Sequence, residues 1–252
     1  MPVAGRVALV TGAGRGIGRA IALRLSKEGL RVALLARSRD QLAETAADCA
    51  GPSLVVPCDV TSQQGVDSAY ATVERTWGPV EVLVANAGAG HSARLERTTD
   101  ADWQRMLDLN LTAPFRCVRR AVPAMREAGW GRVVVIASSA AHTGDPYVAA
   151  YTASKHGALG LVRSAAAELT GSGVTVNAVC PGYVDTPMTG QTIATIVAST
   201  GRTEEQARQA LERKQPIGRL ITPDEVADAA WFCVRNAAMT GQSINVDGGS
   251  VS

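Results

Sequence analysis

The chain has 252 residues, of which 46% are hydrophobic, so it can bury one substantial core, and α/β folds of this length are commonly a single domain. Its net charge of +2 includes no basic run and no basic residues interleaved with aromatic ones, which argues against a nucleic-acid partner. The five cysteines form no C-x-x-C pair and no Cys/His cluster, which argues against a disulfide framework and against a metal site.

The amino terminus gives no sign of a targeting segment. MPVAGRVALVTGAG lacks a basic region followed by a long apolar run, and no stretch approaches about 18 uninterrupted apolar residues. We therefore expect a cytoplasmic protein with no membrane partner.

Short runs of β-branched and aliphatic residues alternate with longer segments of helical periodicity. The predicted strands are residues 6–11, 31–36, 53–58, 80–85, 132–138, 174–179 and 242–246. Nearly continuous apolar strands separated by helices indicate a parallel sheet that is covered on both faces. The sequence therefore predicts a single-domain, doubly wound α/β fold with about seven parallel strands.

A glycine-rich turn, TGAGRGIG at 11–18, follows the first predicted strand. The next segment has helical periodicity, and Gly29 is predicted to close that helix as its C′ residue. Such a turn either brings backbone N–H groups against phosphate or is simply a tight turn. The glycines do not fit the G-x-G-x-x-G fingerprint, whose last glycine would fall on Ile17, so the turn alone does not decide.

Tyr151 and Lys155 lie one turn apart in a segment with a helical pattern, so their side chains share a face. A phenol is a poor acid at neutral pH, but a nearby ammonium stabilises the phenolate and lowers the phenol pKa, which makes a usable proton donor. Ser138 ends the fifth predicted strand, at the ligand-binding edge, where its hydroxyl would hold a substrate oxygen. The alternatives are a structural Tyr/Lys pair and an ordinary polar strand end.

The spacing Thr-Gly-x-x-x-Gly-x-Gly, from Thr11 to Gly18, resembles the short-chain dehydrogenase/reductase family. Further motifs follow in the family's order over almost the whole chain: NAG (86–88), Ser138 with Tyr-x-x-x-Lys (151–155), PG (181–182) and NVDGG (245–249). The resemblance implies a Rossmann-like fold and a nicotinamide-dependent carbonyl reductase or alcohol dehydrogenase without a metal. Within the family, the chain looks like 3-oxoacyl reductases and ketoreductases.

The resemblance implies four catalytic residues. Tyr151 donates a proton to the carbonyl oxygen, Ser138 orients that oxygen, and Lys155 binds the cofactor ribose and tunes the tyrosine. Asn110, in LDLNLTAPF, matches the helix asparagine that anchors a water-linked proton relay to the lysine. The alternative for Asn110 is a solvated side chain.

The resemblance also implies the residues that bind the cofactor. They are Gly12, Arg15, Gly16, Ile17, Gly18, Arg37, Asp59, Val60, Asn86, Ala87, Gly88, Tyr151, Lys155, Pro181, Gly182 and Thr186. Asp59 and Val60 match the segment that contacts the adenine, although an aspartate after a strand is also an ordinary helix cap. Thr186 matches a residue that contacts the nicotinamide amide.

The residue that ends the second strand faces the adenosine ribose in this fold, and an acid there favours NAD(H). That position is Ala36, which has no carboxylate, and Arg37 follows it. In NADP(H) this ribose carries a 2′-phosphate. Arg15, inside the glycine turn, approaches that 2′-phosphate from the side opposite Arg37, and guanidinium groups pair well with phosphate. We therefore predict NADP(H) rather than NAD(H); the alternative is that Arg37 is one more solvated arginine.

The region from Pro181 to Pro216 is the least sheet-like part of the chain. It contains TEEQARQALERK, which predicts a helix that Thr203 caps with Gln206 three residues later. We predict a substrate lid at residues 187–215, with plain surface packing as the alternative. The apolar residues expected to set substrate specificity are Met188, Ile193, Ile196 and Val197.

The sequence leaves several substrate classes as alternatives. Fatty-acid-synthesis relatives carry arginines for an acidic carrier protein at positions that match Gly129 and Ser172, so their absence leaves acyl-CoA thioesters, free ketones and secondary alcohols as alternatives. By the resemblance, and because a short last strand would otherwise leave an open edge, we expect a homotetramer.

Two other functions on the same fold are alternatives, because fold alone does not fix activity. A non-catalytic nucleotide-sensing protein would tolerate the loss of Tyr151 or Lys155, and both are present. An epimerase or dehydratase would need further acid–base residues, and the spacing shows none.

Overall fold

The computed structural model describes residues 3–251. Its strands are β1 (Val7–Thr11), β2 (Arg31–Ala36), β3 (Ser53–Pro57), β4 (Val82–Ala85), β5 (Gly131–Ile136), β6 (Val174–Pro181) and β7 (Ser243–Val246). They form one sheet in the order β3-β2-β1-β4-β5-β6-β7, and every neighbouring pair is parallel. The order reverses direction between β1 and β4, so the sheet has its switch point there.

Helices follow the strands as the alternating pattern predicts. They are α1 (Gly16–Lys27), α2 (Arg39–Ala47), α3 (Gln63–Trp77), α4 (Asp100–Leu107), α5 (Ala113–Glu127), α6 (Ala149–Glu168), α7 (Pro187–Thr200), α8 (Glu204–Glu212) and α9 (Pro223–Arg235). A π-helical turn, Asp108–Thr112, joins α4 to α5. Within residues 3–251, none of the helices combines the length and the apolar character needed to cross a membrane.

The sheet separates two apolar cores, because successive side chains of a strand point to opposite faces. On one face, Leu9 and Leu83 pack with residues of α3, α5 and α6. On the other face, Val10 and Val84 pack with residues of α1, α2 and α9. The central strands are thus buried on both sides, which explains their nearly unbroken apolar sequences. The predicted doubly wound α/β fold is confirmed.

The early end of β5 changes the position of a predicted site residue. β5 stops at Ile136, and Ser138 lies beyond it as the cap of a short 3₁₀ turn, Ser139–Ala141. The Ser138 hydroxyl accepts a hydrogen bond from the Ala140 N–H at 3.2 Å, which competes with continuation of the strand. Ser138 therefore stays at the carboxyl edge of the sheet, but in a turn.

Gly29 closes α1 as predicted. Its φ of +86° lies in the left-handed region, and its N–H donates to Ser26 O at 3.0 Å. The next N–H, of Leu30, donates to Leu25 O at 3.1 Å. These two bonds form a Schellman motif, which turns the chain sharply from α1 into β2.

Helices α7 and α8 share a small apolar cluster of their own. Its buried members are Ile193, Ala207, Leu211 and Leu220, and Tyr183, Ile196 and Val197 pack against it. The predicted capping box of Thr203 and Gln206 starts α8. This segment is therefore a small folded unit beyond the end of β6.

Replacing Gly29 with Ala should destabilise the protein by about 1 kcal/mol, because a Cβ disfavours positive φ. Gly160→Ala is the matched control. Gly160 lies inside α6, and a Cβ there would meet no atom within 4 Å, so this change should stabilise the protein by up to about 1 kcal/mol. Urea unfolding of both variants measures the difference, and shifts of the same sign would contradict this account.

Candidate active site

Three polar side chains meet beyond the carboxyl ends of β5 and β6. Tyr151 and Lys155 lie in the first turns of α6, and the Ser138 hydroxyl lies close enough to the Tyr151 phenol to lower its pKa. Ser138 also donates to Pro181 O at 3.5 Å. The Lys155 ammonium lies 5.7 Å from the centre of the Tyr151 ring and donates to Ile136 O at 3.0 Å. The structure thus brings together the three residues that the sequence assigned to proton transfer and substrate orientation.

Burial dominates the electrostatics of this cluster. Lys155 is only 5% exposed, and burial lowers its pKa to about 8. Burial also raises the pKa of the Tyr151 phenol, although the hydrogen bond with Ser138 acts in the opposite direction. The shift of the phenol pKa is therefore opposite to the expected lowering, because the loss of solvation outweighs the effect of Ser138.

Asn110 lies in the π-helical turn and is 1% exposed, so it is not a solvated side chain. Its Oδ1 accepts from the Ala89 N–H at 3.1 Å, and its Nδ2 donates to Ala89 O at 3.0 Å. A Cβ on Gly88 would lie 2.9 Å from Asn110 Oδ1 and 3.6 Å from Lys155 Nζ. Asn110 therefore fixes the loop after β4 directly beside Lys155, and π turns occur frequently at functional sites.

The glycine turn is joined to the end of β4 by hydrogen bonds. Thr11 Oγ1 accepts from the N–H groups of Asn86 at 2.9 Å and Ala87 at 3.0 Å, and Asn86 Nδ2 donates to Thr11 O at 2.9 Å. A Cβ on Gly18 would collide with Gly12 O, so the turn closes this tightly only around a glycine. The Asn86 side chain thus holds the glycine turn in place.

The start of α7 lies against the glycine turn. A Cβ on Gly16 would lie 3.2 Å from the methyl group of Thr186. Thr186 caps α7 by accepting from the Thr189 N–H at 3.5 Å. Gly182, at the end of β6, donates its N–H to Val246 O at 3.0 Å. These contacts bring the predicted residues of three distant segments to one edge of the sheet.

Arg15 and Arg37 are exposed at the same edge, and neither forms an ion pair with another residue of the described range 3–251. Asp59 accepts from the Thr61 N–H at 2.9 Å and from its hydroxyl at 2.7 Å. These hydrogen bonds lower the pKa of Asp59, and the charge of Arg37 adds to the effect. Ser62 caps α3, so the alternative that Asp59 is the helix cap is wrong.

Several predicted cofactor residues direct their side chains into the cores. Val60 is buried and Ala87 is partly buried in one core, and Ile17 packs against the other. Ile17 and Ala87 stay partly exposed, whereas Val60 is buried. Within residues 3–251, no group of three or more His, Cys, Asp or Glu side chains is placed to hold a metal ion.

Comparison with known proteins decides the family. A family model described as short chain dehydrogenase matches residues 6–213. The chain belongs to this family.

Among its relatives, this short chain dehydrogenase is 39% identical to a putative ketoacyl reductase of Streptomyces coelicolor, over 96% of each chain. It is 35% identical to a D-beta-hydroxybutyrate dehydrogenase of Rhizobium meliloti, over 97% of this chain and 98% of the relative. A solved structure of a point variant of actinorhodin polyketide ketoreductase with NADPH has a TM-score of 0.94 and 39% identity, covering 98% of this chain and 97% of the other. This short chain dehydrogenase is thus an oxidoreductase that interconverts a carbonyl and an alcohol.

Two residues that shape the site were not assigned a role from the sequence. Thr11 was noted only as part of a motif, although its hydroxyl accepts two N–H groups from the end of β4. Gln215 is 1% exposed and bonds the backbone of Tyr183 through both ends of its amide. Polar residues beside apolar runs were the available signal, but their partners lie far away in the sequence.

Replacing Lys155 with Met should stabilise this short chain dehydrogenase at pH 7. Its pKa is about 8 in the native state against the ordinary 10.5, so below pH 8 the native state carries a buried charge that costs about 3 kcal/mol. Between pH 8 and 10.5 the native state has lost the proton and the unfolded state keeps it. The free energy of unfolding of the wild type therefore rises over this pH range, and the stability difference between wild type and Lys155→Met becomes smaller.

Urea unfolding at pH 7 and at pH 10 measures this difference. Lys27→Met is the matched control, since Lys27 is an exposed lysine at the end of α1. The control should keep the pH dependence of the wild type. An identical pH dependence in Lys155→Met would contradict the buried-charge account.

Proposed function

We propose that the protein is an NADP(H)-dependent ketoreductase that interconverts a ketone and a secondary alcohol, with Tyr151 as the proton donor. The substrate would be a 3-oxoacyl thioester or a related carbonyl compound. The observation that carries this proposal is the cluster of Ser138, Tyr151 and Lys155 at the ends of β5 and β6. The alternative is a dehydrogenase of free small secondary alcohols or hydroxy compounds.

The residues at the sheet edge fit a dinucleotide. The glycine turn, held by Thr11 and Asn86, exposes backbone at the start of α1, where a helix N-terminus favours a phosphate. Arg15 and Arg37 are exposed and have no carboxylate ion pair among the described residues, so their guanidinium groups are available to a 2′-phosphate. A nicotinamide cofactor bound there would supply the hydride for the carbonyl carbon.

The side chains of this chain would handle the proton. The raised pKa of Tyr151 keeps its phenol protonated at neutral pH, and an alkoxide forming from the carbonyl is a stronger base than a phenolate, so transfer to it is favourable. The Ser138 hydroxyl, which lies beside Tyr151, would orient and stabilise the same oxygen. Lys155, with a pKa of about 8, is mainly protonated at pH 7 and would return a proton toward Tyr151. Asn110 would keep the β4 loop beside this route.

The relatives support a 3-oxoacyl or 3-hydroxyacyl substrate, since a ketoacyl reductase and a hydroxybutyrate dehydrogenase both match over nearly the whole chain. Gly129 and Ser172 offer no cation to an acidic carrier protein. We therefore favour a substrate that is recognised within the site rather than through a bound carrier. A purified-enzyme screen of thioesters, free ketones and secondary alcohols, followed by cofactor absorbance, tests this.

Residues 187–215 would act as a substrate lid. Met188 is 43% exposed at the start of α7, so it is the apolar residue best placed to meet a substrate. Ile193 is buried inside the α7–α8 cluster, and Ile196 and Val197 pack against it, so these three would act through the position of the lid. A homotetramer remains our proposal for the assembly.

Replacing Tyr151 with Phe should lower kcat by about a hundredfold or more, because the proposed proton donor to the carbonyl oxygen is removed. Binding of the cofactor, followed by fluorescence, should change little. Tyr70→Phe is the matched control: it removes the same atom from a buried tyrosine of α3 whose hydroxyl bonds Cys117 O. A Tyr151→Phe variant that kept a tenth of the wild-type kcat would end the proton-donor assignment.

Replacing Ala36 with Asp and Arg37 with Gln should invert the cofactor preference. The new carboxylate would repel a 2′-phosphate and accept from a 2′-hydroxyl, and the lost guanidinium contact corresponds to roughly ten- to a hundredfold in affinity. The ratio of kcat/KM with NADPH and NADH measures this. Arg39→Gln, which removes an exposed arginine at the start of α2, is the control. A wild type that prefers NADH would refute the roles of Arg15 and Arg37.

A further inference from the structure

A second polar cluster, formed by Asp145, Tyr183 and Lys214, lies next to the catalytic residues. The Lys214 ammonium donates to Asp145 Oδ1 at 3.2 Å and to Tyr183 Oη at 3.4 Å. It also lies 5.6 Å from the centre of the Tyr183 ring. The proton-transfer mechanism uses none of these three side chains.

The cluster connects two walls of the active site. Asp145 lies in the loop between Ser138 and Tyr151, and Tyr183 follows the Pro181–Gly182 turn at the end of β6. Ser138 Oγ donates to Pro181 O at 3.5 Å, two residues before Tyr183, so the backbone segment that carries Tyr183 borders the catalytic serine. Lys214 therefore joins the loop that precedes Tyr151 to the segment that follows Pro181.

Hydrogen bonds fix the backbone around Lys214. The neighbouring Gln215 accepts from the Tyr183 N–H at 2.8 Å and donates to Arg219 O at 2.7 Å. The backbone carbonyl of Lys214 accepts from Ser250 Oγ at 3.3 Å. The ammonium is thus pre-positioned, which reduces the entropy lost when a ligand binds.

The ammonium also has capacity for a ligand. It carries three donors, of which Asp145 and Tyr183 take two, and the Lys214 side chain is 47% exposed. Although partial burial acts against it, the charges of Tyr183 and Asp145 raise the pKa of Lys214, so it stays cationic at neutral pH. The Asp145 side chain is 42% exposed, so solvent can take over its solvation when the pair opens.

We propose that Lys214 binds a second oxygen acceptor of the substrate, a carboxylate or a thioester carbonyl, with Asp145 as its exchangeable counter-ion. The site would then select oxo compounds that carry such an acceptor over plain ketones. This inference rests on the proposed function, because it concerns the substrate of the same site.

The test compares Lys214→Met and Asp145→Asn with the wild type on acetoacetate, a 3-oxobutanoyl thioester and cyclohexanone. Lys214→Met should lower kcat/KM for the first two, relative to cyclohexanone, by about tenfold or more, mainly through KM. Asp145→Asn should change this ratio in the opposite direction, since it removes the competing anion. Arg213→Met, which removes an exposed cation one residue away, should leave the ratio unchanged.

The outcomes separate the alternatives. A larger loss with acetoacetate than with the thioester identifies the acceptor as a carboxylate, and equal losses identify it as a carbonyl. If Lys214→Met and Asp145→Asn both change kcat/KM in the same direction for all three substrates, the ion pair serves only to connect the two segments of the active-site wall. The inference is then wrong. An unchanged ratio in Lys214→Met also overturns it.

Calorimetric binding of acetoacetate gives a readout that does not depend on turnover. Affinity should fall in Lys214→Met and rise in Asp145→Asn, and equal affinities in all variants would overturn the inference. If the wild type reduces none of the three ketones, the proposed function fails. If the wild type reduces them while Lys214→Met leaves both ratio and affinity unchanged, only the inference about Lys214 fails.

Discussion

The hydrogen bonds between Thr11 and Asn86 hold together the place where the sheet reverses its winding. At that switch point β1 and β4 run side by side, while the chain after each of them turns toward a different face. The Thr11 hydroxyl and the Asn86 amide link the end of β1 to the segment after β4. This junction positions the glycine turn and the β4 loop. Gly18 allows the close approach on one side, and Asn110 extends the junction to Lys155 on the other.

The arrangement of the catalytic cluster lowers the stability of the fold, but it suits the proposed proton transfer. Lys155 is a buried cation whose partner is a neutral carbonyl, Ile136 O, and Tyr151 is a partly buried phenol. Both environments disfavour the charged form of the side chain. A further charge placed nearby therefore has a large effect on the protonation of these two groups. A developing alkoxide would thus meet a site with little water to screen it. The two apolar cores on either side of the sheet supply the stability that this arrangement requires.

The fold was predictable from the sequence because each central strand is buried on both faces and therefore appears as an apolar run. Ser138, Tyr151 and Lys155 were predictable because their spacing is set by one strand end and one helix turn. The Thr11–Asn86 junction was not, since hydrogen bonds between residues 75 positions apart leave no local pattern. The direction of the Tyr151 pKa shift was also missed, because it depends on burial by segments from the whole chain. Ile193 was expected to face a substrate, but the cluster between α7 and α8 takes it inward.

The π-helical turn at Asp108–Thr112 sets the rotational phase between α4 and α5. It adds one residue to an otherwise continuous helix, so the residues before it are turned by about 100° relative to a regular α-helix. Loss of a single residue from this segment would let the two helices fuse in register. The face of α4 that holds Met106 against Asn110 would then rotate away, and the amide would lose its alignment with the Ala89 backbone. The length of this segment therefore determines whether α4 and Asn110 meet in the same orientation.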